Sequence, residues 1–74
     1  MNTESTVPSA VQVSEHLKLL LVERALADVE GLGGNATYMA DLDDEITATR
    51  AAYVGAAVTD IATLRARLSG PLLG

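Results

Sequence analysis

The chain has 74 residues, no cysteine, one histidine and a net charge of −5. That length allows one domain at most, and the missing thiols exclude disulfides, thiolate metal sites and cysteine catalysis. The acidic balance does not steer the chain to nucleic acid or to anionic lipid.

Apolar residues make up 49% of the chain, which argues against disorder. Phe and Trp are absent and there are two Tyr. The apolar mass is therefore Ala, Leu and Val, which suits thin helix–helix contacts better than a bulky core. So small a domain has a marginal core on its own. With disulfides and metals unavailable, oligomerisation is the compensation left. No stretch approaches the ~20 apolar residues that a membrane-spanning helix needs.

In chain order, residues 1–13 read as a flexible N-terminal arm. They are polar at first, contain Pro8, and lack the basic start and apolar run of a secretory signal. Val11 and Val13 fit either one helical turn or a short extended stretch. A first helix is expected over about 14–30, with Ser14 as its cap and Glu15 in its first turn. Gly31 should end it in a left-handed conformation, with Leu32 as the apolar partner of that cap. Its apolar residues cover most of the circumference, and the clearest polar stripe is His16, Glu23 and Glu30. So narrow a polar face asks for more than one covering partner.

Gly31-Leu32-Gly33-Gly34-Asn35 is the strongest breaker in the chain. It should return the next helix antiparallel to the first. That second helix has two possible starts, one capped by Asn35 or Thr37 and one by Asp41. We favour a continuous helix over about 36–69, stopped by Gly70 and Pro71. Even from Asp41 it would be ~40 Å long, against ~25 Å for the first helix. The excess leaves part of it without an internal partner. Residues 71–74 form a short apolar tail.

Val54, Ala57, Ile61, Leu64 and Leu68 follow the spacing of a coiled-coil seam, with Val58 beside them. We expect the contact to run through these residues, with Leu19, Val22, Leu26 and Val29 as the facing set of the first helix. Two series of small residues, Ala48, Ala52, Ala56 and Ala51, Gly55, fit either an internal or an intersubunit contact. Gly55 favours the latter, because glycine inside a helix is disfavoured unless a backbone comes close. Tyr53 and Tyr38 fit either interface anchors or half-buried core edges with the hydroxyl in water. Arg50, Arg65 and Arg67 suggest ion pairs within or between subunits.

The remaining candidates favour structural explanations over chemical ones. Asp41-Leu42-Asp43-Asp44-Glu45 lacks the order of a calcium loop and reads as an acidic helix start. His16 has no second His or Cys and reads as a solvated helix-face residue. The glycine-rich turn lacks the Lys-Ser/Thr ending of a phosphate loop. No nucleophile–base pair is visible, so no enzyme, cofactor, metal or small-molecule substrate is expected.

The expected architecture is therefore all-α: an antiparallel helical hairpin over 14–70 that joins an oligomeric bundle. The expected function is a non-enzymatic structural or assembly role through helix–helix contacts. The alternative is a small acidic regulator, such as an antitoxin, anti-sigma-like factor or inhibitor, that covers a protein partner.

Residues 52–70 add a resemblance. The run Ala52-Tyr53-Val54-Gly55-Ala56-Ala57-Val58, continuing through Ile61, Leu64 and Arg65 to Leu68-Ser69-Gly70, resembles the C-terminal helix of small uncharacterised helical proteins of actinobacterial phages. The Lys-poor, Ala/Arg/Asp-rich composition is similar to high-GC actinobacterial coding. The resemblance covers about a quarter of the chain and carries over no functional residue. It implies a phage-encoded protein, a minor head or tail component, located in the virion. Without it the expected location is cytoplasmic.

Overall fold

A computed structural model describes residues 8–70. The helix α1 spans Ala10–Val29, a short 3-10 turn spans Leu32–Gly34, and the helix α2 spans Ala36–Ser69. The two helices pack side by side as an antiparallel hairpin, and no strand occurs among the described residues.

The start of α1 corrects the expectation of a cap at Ser14. Ser9 caps the helix instead, as half of a capping box. The Gln12 backbone N–H donates to Ser9 Oγ at 3.2 Å, and the Ser9 N–H donates to Gln12 Oε1 at 2.8 Å. Two otherwise orphaned donors are satisfied reciprocally. A third, the Ala10 N–H, donates to Asp60 Oδ2 at 3.1 Å, which ties the start of α1 to the last third of α2. Val11 and Val13 are thus helical, and residues 10–13 do not belong to an arm. Residues 1–7 and 71–74, the rest of the expected arm and the tail, lie outside the described residues.

The end of α1 follows the glycine logic. Glu30 is the C-cap, its N–H donating to Leu26 O at 2.8 Å. Gly31 then takes φ +84°, a left-handed conformation that glycine reaches at no steric cost. Asn35 starts α2: its side chain accepts from the Tyr38 N–H at 3.0 Å. The early start of the long helix is therefore the one adopted, and Asp41 lies inside the helix.

The core is a single thin seam. Leu20, Leu42 and Ile46 form its centre, flanked by Leu17 and Tyr38. Val13 and Ala27 are buried towards the two ends of α1, and Thr49 is the one buried polar residue among those described. On α1 the seam residues Val13, Leu17, Leu20 and Ala27 recur at helical spacing. On α2 the matching set is Leu42, Ile46 and Thr49, with Ala56 half-buried further on. Beyond Asp60, α2 has passed the start of α1, and every residue from Ile61 to Gly70 is exposed.

Candidate interaction surface

Leu19, Val22, Leu26 and Val29 stay outside the buried seam; Leu19 is 68% and Val29 79% exposed, and Tyr38 of α2 reaches only the edge of their stripe. They form a second apolar stripe about 160° around α1 from the seam. The reason lies in the charges. The stripe from Val13 to Ala27 carries one charge, Arg24, and Asp43 answers it across the hairpin at 2.7 Å. The outer stripe, extended back towards the N-terminus, runs into Glu15 and Lys18. Packing α2 there would take the exposed Glu15–Lys18 pair, 3.9 Å apart, out of water, and that desolvation costs more than the contact gains.

The second helix divides in the same way. Its proximal half is apolar at Leu42 and Ile46, where α1 covers it. Its distal half is apolar at Val54, Val58, Ile61, Leu64 and Leu68, all more than half exposed. This distal stripe lies about 90° around the helix from the seam, so α1 would not cover it even if α1 were longer. Ala57 is half-buried, Tyr53 lies at the edge of the seam at 40% exposure, and Gly55 is exposed. Nothing lies within 4 Å of where a Gly55 side chain would begin. The structure therefore separates the two expected sets: the outer stripe of α1 sits on the loop half, the distal stripe of α2 on the far half.

Two open grooves accompany these stripes. One, of about 330 Å³, is walled by Leu19, Val22, Leu26 and Leu32, floored by Ala27, bounded by Tyr38 of α2 and edged by Glu23 and Glu30. Leu32 thus lies beside Leu26, as expected of the apolar residue after the Gly31 cap. The other, of about 430 Å³, opens where Ala48, Thr49 and Ala52 face Val13 and His16. Small residues on α2 leave that space unfilled. In the small-residue series, Ala56 turns inward while Ala48, Ala51, Ala52 and Gly55 stay exposed.

The charged groups are mostly cross-hairpin partners. Arg24 Nε donates to Asp43 Oδ1 at 2.7 Å, and Nη2 reaches Oδ2 at 3.4 Å. That hydrogen bond, with the attraction of the guanidinium, holds the Asp43 carboxyl below the usual carboxylate range and raises Arg24 in turn. His16 Nε2 lies 3.2 Å from Glu45 Oε2. Tyr38 Oη donates to Glu23 Oε2 at 2.6 Å, so its hydroxyl is not left to water, and that bond pushes the phenol upward. The acidic run at 41–45 is thus not a helix start. The first turn of α2 holds no acid, and two of the four acids answer groups on α1. The readable signal was Arg24, which falls within the seam spacing of α1, and His16 at its edge.

Arg50, Arg65 and Arg67 have no ion-pair partner among the described residues. No group of three His, Asp or Glu side chains among those residues could hold a metal ion. No described helix is long and apolar enough to cross a membrane. Comparisons with family models, curated proteins and solved structures find no match to this chain.

Proposed function

We propose that this protein is a non-enzymatic structural or assembly component that acts through helix–helix contacts with other protein chains. One observation carries the reading: the apolar stripe from Val54 to Leu68 continues past the start of α1 with none of the described residues over it. Monomeric domains rarely keep so continuous an apolar face in water. The outer stripe of α1 supports the same reading. The resemblance of residues 52–70 to small phage proteins favours a minor virion component over other assemblies.

The test is light scattering behind size exclusion over a concentration series, with circular dichroism on the same peak. A helical multimer is expected. Ile61→Asp is expected to disperse it while leaving the hairpin helical, because Ile61 is 58% exposed within the protomer. A wild-type protein that stays a folded monomer throughout would contradict the reading. The acid-rich loop half favours a second reading, a small regulator that covers a basic protein surface. Capture of such a partner by a folded monomer would support it.

A further inference from the structure

The two uncovered stripes differ in charge as well as position. Residues 19–50, which form the loop half, carry seven acids and two arginines. Residues 8–18 and 51–70, the far half, carry two acids and three bases. Past Asp60 the only charges on α2 are Arg65 and Arg67, and they flank Leu64 and Leu68. The groove walled by Leu19, Val22, Leu26 and Leu32 is edged instead by Glu23 and Glu30. One surface is apolar with cations beside it; the other is apolar with carboxylates beside it.

We infer that the occupant of this groove is the distal end of α2 from a second copy of the chain, and that two copies exchange these ends reciprocally. The inference rests on the assembly reading above and names its partner and contact. A protomer cannot satisfy itself. The distal segment belongs to one unbroken helix of 34 residues, about 50 Å long, and the groove lies at the opposite end of the hairpin. Laid antiparallel, two hairpins set each basic end beside the other's acidic end. Both contacts are then the same, and a two-fold axis closes the assembly. Leu64 and Leu68 enter the groove, and the cationic end of α2 lies against the groove edge that carries Glu23 and Glu30. Pairing of opposite charges around an apolar centre sets the orientation of such a contact.

The chain has no cysteine, so introduced thiols report contacts without background. Leu26→Cys and Leu64→Cys change exposed residues and should leave the hairpin folded. Mixed and oxidised, they should give a mixed disulfide-linked dimer in preference to either self-linked one. As a second arm, Arg65→Glu with Arg67→Glu should weaken the dimer at least tenfold, as should Glu23→Arg with Glu30→Arg. Mixing the two charge-reversed proteins should restore it, since both contacts then regain opposite charges. A dimer that links Ile61→Cys to itself, with no Leu26–Leu64 link and no rescue by mixing, would overturn this contact and leave the assembly reading in place. A wild-type protein that is monomeric at every concentration would overturn both.

Discussion

Arg24 and Asp43 show how a single charged pair fixes the hairpin's register. Both side chains remain about half exposed, so the pair selects an alignment more than it strengthens the fold. Asp43 titrates below its unfolded value, so its contribution is present above the ordinary carboxylate range and fades as pH falls through the folded pKa. Urea midpoints of wild type and Asp43→Asn should therefore differ most near neutrality and converge in acid. A gap that stays constant down the acid limb would show that the pair is not formed. Tyr38 gives the opposite slope. Its hydroxyl donates to Glu23 and titrates above its unfolded value, so its contribution persists below that value and is lost as pH rises through the folded one. Gly55 is a residue whose backbone freedom nothing in the protomer uses. Gly55→Ala should raise the melting temperature of the dispersed Ile61→Asp background by the equivalent of about 0.5–1 kcal/mol. An unchanged or lower melting point in that background would show that the helix is not intact there.

At the level of elements, each helix carries more apolar stripe than its neighbour covers. In α1 the seam stripe and the outer stripe share twenty residues, which is why its circumference reads as almost wholly apolar. In α2 the two stripes follow one another, proximal and then distal, with a turn of face between them. The seam itself is small, so its members matter. Ile46→Ala should cost about 2–5 kcal/mol, enough to unfold much of the population in a chain this size. Ile61→Asp should cost the isolated hairpin little. If thermal melts followed by circular dichroism ranked these two variants the other way, the seam would be misassigned. The box at Ser9 is also testable, since Ser9→Ala should lower stability by about 1 kcal/mol and fray the first turn of α1. Proteolysis just after Pro8 would detect that fraying. No change on either readout would mean that Asp60 alone holds the start of α1.

For the whole molecule, the hairpin is long and thin, and its halves differ in charge and in covering. Stability should therefore depend on protein concentration, because a contact between copies stabilises by mass action. Melting temperature should rise across a hundredfold increase in wild-type concentration and stay level for Ile61→Asp. A flat wild-type curve would count against assembly through the distal stripe.

The helices, their count and the loop were legible in the residues themselves. Gly31 to Asn35 breaks the chain, Asn35 and Gly70 bound the long helix, and the apolar spacing is helical throughout. The capping box at Ser9 was legible too, as Ser followed three residues later by Gln, but Pro8 and the polar start before it suggested an arm. Periodicity identifies stripes; it does not say which stripe meets which. Leu19, Val22, Leu26 and Val29 have as good a spacing as Val13, Leu17, Leu20 and Ala27. Only the tertiary structure chose between them, because only there does a choice of face decide where Glu15, Lys18, Arg24 and His16 must go. Burial tolerates the stripe that keeps those groups at the edge, in reach of Asp43 and Glu45 or of water. The sequence thus determined two helices of unequal length with surplus apolar surface, a matter of local propensity and chain length. The folded hairpin decided which part of that surface is buried in the seam and which stays exposed.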